Sequence, residues 1–130
     1  MSGLNNVALV IGRILLAALL LIAAYNKFKG YDATIAYFGR LGIPSPNIMA
    51  PVTEAFEVIC AILLIIGWQT RLVALAVAAF VIVAAGFAHM NFADGNQLNH
   101  FLKNVAIAGG CLALFVSGAG AFSLDGRSKA

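Results

Sequence analysis

Charge is what this chain has least of. Acidic and basic residues make up 10% of its 130 residues, hydrophobic ones 62%, and the mean hydropathy is +0.97, whereas about a quarter of a soluble domain is charged. That balance excludes the soluble classes. Only five acids occur, Asp32, Glu54, Glu57, Asp94 and Asp125, and the eight basic residues stand singly near the ends of apolar runs. No basic stripe interleaved with aromatics exists, so a nucleic-acid partner is excluded and membrane lipid, through anionic headgroups, takes its place. The two cysteines, Cys60 and Cys111, form no CxxC pair, which excludes a zinc knuckle or a thioredoxin-like motif. Both lie in apolar runs at similar depth, either as small buried residues or as a redox pair. His89 and His100 lack the tight spacing of a metal site, and both sit too near the rim for paired haem ligands. No serine or cysteine stands beside a base, and no Gly-rich phosphate loop is present.

What is there is apolar and helical. Four stretches, Val7–Ala24, Val52–Gly67, Leu72–Ala88 and Phe101–Gly118, are each about long enough to cross a hydrocarbon layer of ~30 Å. They predict one all-α domain over residues 1–130, an integral membrane four-helix bundle made of two antiparallel helical hairpins, with spans over 7–26, 50–67, 71–90 and 101–119. Arg13 followed by Ile14–Ala24 mimics a signal peptide, but the apolar run already begins at Val7, so a retained first helix is expected. Between spans one and two, Asp32 is placed to cap a short helix carrying Ile35, Phe38 and Leu41 on one side. That helix is too short to cross and is expected on the membrane surface or across the bundle mouth. Gly42-Ile43-Pro44-Ser45-Pro46 ends it. Span two then starts near Ile48–Val52 with Pro51 in its first turn, and Gln69-Thr70-Arg71 makes a tight hairpin to span three. Residues 94–100 read as a polar connection.

Chemistry must come from the few polar side chains that interrupt these spans. Glu54 and Glu57, three residues apart, share a helix face. Antiparallel connectivity brings them to the membrane side where His89 closes span three, Lys103 and Asn104 open span four, and Lys27 closes span one. The cluster either binds a polar ligand and carries protons, with Glu57 and His89 as the candidate proton-handling groups, or it fixes helix packing. Arg13 lies near the other face, too far from Glu57 to pair. It is expected to contact headgroups or the carbonyls near Gly67, a structural role. Basic residues are nearly balanced between the faces: Arg71, Arg127 and Lys129 share one with the termini, while Lys27, Lys29, Arg40 and Lys103 lie at the other. The reading adopted puts both termini in the cytoplasm.

The order of several motifs resembles the DoxX family of small bacterial four-helix membrane proteins. Its carriers are Gly12-Arg13-Ile14-Leu15, Lys27, Gly42-Ile43-Pro44, Glu57, and Gly67 with Thr70-Arg71. They continue with His89, Asn91-Phe92, Phe101-Leu102-Lys103-Asn104, Gly109-Gly110, and Gly118-Ala119-Gly120 before Ser123-Leu124-Asp125. Ala119 replaces a common proline and Ala24 a frequent glycine, and neither change removes a polar residue. The resemblance implies an inner-membrane protein whose relatives are linked to thiosulfate:quinone oxidoreduction or to membrane complexes that handle oxidative or quinone stress. It supplies no settled catalytic motif. The expected function is therefore a redox-associated membrane subunit, at most an accessory to a quinone-linked oxidoreductase. It would bind a quinone or other lipid-soluble molecule at a mouth formed by Glu54, Glu57, His89, Lys103, Asn104 and Lys27, with no metal, and work with a protein partner or as a homo-oligomer. The alternatives are a non-catalytic scaffold or assembly protein and a small transporter.

Overall fold

A computed structural model describes residues 2–128, which form six helices and, among the described residues, no strand. Lys129, counted above with the basic residues of the terminal face, lies outside them. Helix α1 (Gly3–Lys29) starts on Ser2, whose side chain accepts from the Asn5 N–H at 3.1 Å and so satisfies one of the donors that a helix start leaves open. Lys27 and Lys29 occupy its last turn, where cations complement the helix dipole. Helix α2 (Tyr31–Arg40) follows at once on Gly30. Asp32 is therefore a first-turn residue and not the cap.

Helix α3 (Pro46–Ile66) begins a turn earlier than the sequence predicts. Pro46 takes the first position, where its missing N–H costs nothing, and Pro51 falls inside the helix, leaving the Asn47 carbonyl without its usual donor. At Gly67, with φ +71°, the chain turns, and the N–H groups of Gly67 and Trp68 both reach Leu63 O, at 2.8 and 3.0 Å. Helix α4 (Thr70–Ala88) leads to a short loop, and α5 (Gly95–Ser117) opens on Asp94, whose carboxylate accepts from Asn96 N–H at 2.9 Å. Most of the stretch read as a polar connection is thus the first turns of α5: the Asp cap lets the helix start among polar residues before its apolar part begins at Phe101. Lys103 and Asn104 lie in its third turn as a result. Helix α6 (Leu124–Ser128) ends the described chain.

The intimate pairs are α1 with α3 and α4 with α5, each antiparallel. Where they meet, the core is built largely from small side chains, among them Ala17, Ala61, Ala74, Ala78 and Ala108, with Leu20, Leu64 and Val77 filling between them. Small residues let helices approach closely where lipid offers no hydrophobic drive. Cys60 and Cys111 are both buried in this core as free thiols. Large apolar side chains point outward instead, with Leu15, Ile22, Leu72 and Val116 each at least 60% exposed. Surface of that kind needs lipid to cover it, and α1, α3, α4 and α5 are all long and apolar enough to cross a membrane. Exposed Tyr25, Phe28 and Phe92 mark one interface, and Trp68 and Phe122 the other.

Candidate functional site

A forked ion pair sits at the mouth end of the bundle. Lys27 Nζ, on the last turn of α1, donates to Glu57 Oε1 at 2.9 Å and to Oε2 at 3.1 Å. The antiparallel packing of α1 on α3 sets the end of one helix against the middle of the other. Glu57 is 2% exposed, while the Lys27 side chain keeps 24% of its surface. The carboxylate is held in an apolar interior because a cation neutralises it, and the cation still reaches outward.

This pair forms part of the wall of a cavity of about 470 Å³. Apolar side chains from every long helix line the rest, including Leu20, Phe80 and Ile107, and the short helix α2 closes over it with Tyr37 and Phe38. Of the two locations expected for α2, the structure shows the one across the mouth. From the α4–α5 pair, His89 and Asn104 line the same cavity. Asn104 Nδ2 donates to Val81 O at 2.9 Å and so ties α5 to the α4 backbone. His89 stacks on His100 with ring centroids 5.0 Å apart. Partial burial, and next to it the neighbouring His100, hold the His89 pKa below its ordinary value, so the ring is neutral at neutral pH.

Lys27, Glu57, His89 and Asn104 thus come together around one cavity, whereas Glu54 and Lys103 are not on its wall. The reason is angular. Consecutive helical residues point about 100° apart, so 103 and 104 cannot both face inward, and Lys103 is exposed. Glu54 is about 60° round the helix from Glu57, while Thr53, four residues back, is only about 40° away. Thr53 is the side chain that joins Glu57 on the wall. The sequence reading missed it, although the i, i+4 spacing carried the signal. Glu54 has one oxygen shut off from solvent without a hydrogen-bond partner, and its charge is felt at Glu57.

The other end of the bundle is closed by the chain itself. Arg13 is 1% exposed. Its Nη1 donates to Leu64 O at 3.0 Å and Ile65 O at 3.1 Å, and its Nη2 to Phe122 O at 2.7 Å. The first two are carbonyls that the end of α3 leaves unpaired; of the two roles expected for Arg13, the contact near Gly67 is the one observed. Asp125 accepts from the N–H groups of Gln69 and Thr70, both at 2.8 Å, and caps α4, while its own N–H donates to Gly67 O at 2.9 Å. Asn6 Oδ1 accepts from Ala121 N–H at 3.0 Å. A side chain at Gly67 would collide with Ser123 and with the Arg13 guanidinium.

A family model described as DoxX matches residues 8–90, from α1 through His89. The chain belongs to the DoxX family. It is 35% identical over 125 residues to the inner membrane protein YqjF of Escherichia coli K12, covering 96% of this chain and 95% of that one. It is 36% identical over 126 residues to the inner membrane protein YphA of the same organism, covering 93% and 90%. A shorter stretch of 61 residues, 47% of this chain and 44% of the other, is 36% identical to CatD of Bacillus subtilis 168, which is named as a candidate oxidoreductase. No solved structure gives a significant match. This DoxX protein is a multi-pass inner-membrane protein. The region by which the DoxX family is recognised contains Arg13, Lys27, Glu57 and His89, and Asn104 lies beyond it.

Proposed function

We propose that this DoxX protein is a redox-associated membrane subunit that holds a quinone or a similar lipid-soluble ring in the cavity between its helix pairs. The observation that carries this reading is an ion pair, Lys27–Glu57, built into the wall of an apolar cavity of about 470 Å³, a volume within the ~300–1,000 Å³ of small-molecule sites. Quinone chemistry needs an apolar slot beside a group that handles protons. Lys27 has three donors, and its contacts with the two Glu57 oxygens occupy at most two of them, which leaves at least one for a ring oxygen. Neutral His89 can take a proton from a ring hydroxyl or hand one to a ring oxygen. The ring exchanges electrons with a partner protein. The CatD relative, named as a candidate oxidoreductase, supports the redox part of the reading. Both termini face the cytoplasm in this arrangement: Lys27, a basic residue of the opposite face, is neutralised by Glu57 and counts less toward orientation.

The test is equilibrium binding of decylubiquinone, a short-tailed quinone, to the purified protein in detergent. The wild type binds it, and the Glu57→Gln/His89→Ala variant binds at least about tenfold more weakly while its unfolding profile shows it is folded. Equal affinity in the two proteins would remove these residues from the site.

A further inference from the structure

We infer that the cavity opens sideways into the bilayer through a slot between α3 and α4, and that its ligand is a membrane-resident ring whose hydrocarbon tail passes out through that slot and stays among the lipid chains. This rests on the function proposed above and deepens it to the class of ligand and the side from which it enters.

The slot is traced by the side chains of α4. Taken in order of rotation from Val81, the cavity touches Ala84 at about 60°, Phe80 at about 100°, Phe87 at about 120° and Val83 at about 160°, since consecutive helical residues point about 100° apart. Val81 is 6% exposed and Val83 58%. One continuous surface therefore runs from the buried face of α4, round its flank, to the face that meets lipid. A sealed cavity inside the bundle would touch only the first of these. Phe80 identifies the flank, because its ring meets Phe56 of α3 with centroids 4.9 Å apart. α3 and α4 are joined at the closed end by the turn at Gly67 and pack less closely than the members of either pair. The Phe56–Phe80 contact is the floor of the slot. Toward the mouth, Met49 and Thr53 of α3 and Ala84, Phe87 and Val83 of α4 all face the cavity, so the two helices stand apart there. From Phe80 to Ala88 the slot rises about 12 Å at ~1.5 Å per residue.

Its edges select what can lie in it. Val83, Ala84 and Phe87 are apolar, and a methylene or isoprene tail loses nothing on passing between them and lipid chains, which are as apolar as they are. On the water side, α2 roofs the cavity with Tyr37 and the buried Phe38. A cavity of about 470 Å³ lies toward the small end of ligand sites. It takes a ring, and the slot removes any need to enclose a long tail with it.

The experiment measures binding of three quinones to the full chain in phosphatidylcholine nanodiscs: decylubiquinone, the same ring with a tail of ten isoprene units, and the same ring without a tail. Concentrations are counted per lipid, so partition into the bilayer drops out of the comparison. The two tailed quinones bind the wild type within about threefold of each other, because the tail remains in surroundings as apolar as lipid. Val83→Trp places bulk at the outer edge of the slot, so both tailed quinones bind about tenfold more weakly, while the tailless ring changes by less than about twofold. Val83→Phe serves the same purpose should the tryptophan variant not fold. If the long-tailed quinone binds the wild type far more weakly than decylubiquinone, the tail has to fit inside; the inference is then overturned and the proposed function stands. Tailed binding unchanged in the variant, or lost equally with the tailless ring, overturns the slot between α3 and α4. Failure of the wild type to bind decylubiquinone overturns the proposed function and this inference together.

Discussion

Replacing Arg13 by methionine is expected to unlock the closed end of the bundle. The guanidinium is 1% exposed and makes three hydrogen bonds to backbone carbonyls of 2.7–3.1 Å, two at the end of α3 and one in the tail. Methionine fills similar space but leaves all three carbonyls short of the donor that Arg13 supplies. Hydrogen bonds between side chains of membrane helices measure roughly 0.6–1.7 kcal/mol each, and a charged donor works at the upper part of such a range. Three together, two of them sharing one nitrogen, give about 3 kcal/mol. Thermal unfolding of purified protein in detergent reads this as a clear fall in midpoint. Arg13→Lys separates the two roles open to this residue. Lysine snorkels to headgroups as well as arginine does, so an anchor would be fully rescued. An ammonium is a point donor without the planar fork, so a backbone clamp recovers only about half the loss. Full stability in Arg13→Lys, or in Arg13→Met, would refute the clamp.

Three further outcomes follow from the same geometry. Gly67→Ala forces a Cβ onto Ser123 and Arg13 at φ +71°; the left-handed backbone alone costs about 1–2 kcal/mol. Gly109→Ala, with open space around it, is expected to be neutral or slightly stabilising, and paired unfolding curves compare the two. At the ion pair, Lys27→Met strands a carboxylate that is 2% exposed, whereas Glu57→Gln frees an ammonium that is already partly exposed. The lysine change should therefore cost about 3 kcal/mol or more and the glutamate change markedly less, with Lys27→Met/Glu57→Leu recovering much of the loss; equal costs for the two single variants would contradict this. His89 has a pKa held below its ordinary 6.5, so the unfolded chain takes up a proton there before the folded one does. Stability is full above about pH 6.5 and falls as the pH drops through the lowered value. The unfolding midpoint of His89→Gln should lose that part of the acid dependence.

Much of the fold is legible in the order of residues because the bilayer sets a simple rule of length and hydropathy. An even number of crossings then gathers residues 27, 57, 89 and 104 at one end whatever the packing details. Rotation about each helix is less legible. Lys103 and Asn104 are equivalent by position, and only the packed bundle shows that the amide faces in and the ammonium out. Helix starts are less legible where the helix begins ahead of its apolar run: Asp94 caps α5 among polar residues, and Pro46 opens α3 before Pro51. Of the closed end only the contact of Arg13 near Gly67 is legible. Asp125 caps a helix whose first residue is 55 positions earlier in the chain, and the acceptors for Arg13 are backbone carbonyls, which any sequence would supply.

The contrast between the two ends is the strongest argument for where function lies. At the closed end the polar groups turn back onto the chain: Asp125 onto α4, Asn6 onto Ala121 and Arg13 onto three carbonyls. At the mouth they hold capacity in reserve. Lys27 has a donor left after binding Glu57, Asn104 Oδ1 has no partner, and neither ring nitrogen of His89 is hydrogen-bonded among the described residues. A charged side chain deep in a membrane helix costs about 2.5–3.5 kcal/mol on insertion scales. A purely structural cluster would offset that cost by turning its hydrogen bonds onto the chain, as Asn6, Asp125 and the two terminal nitrogens of Arg13 do, although Arg13 Nε and Thr70 Oγ1 stay buried there without a partner. Polar groups that face an apolar cavity with bonds still to make are arranged for a molecule that enters it.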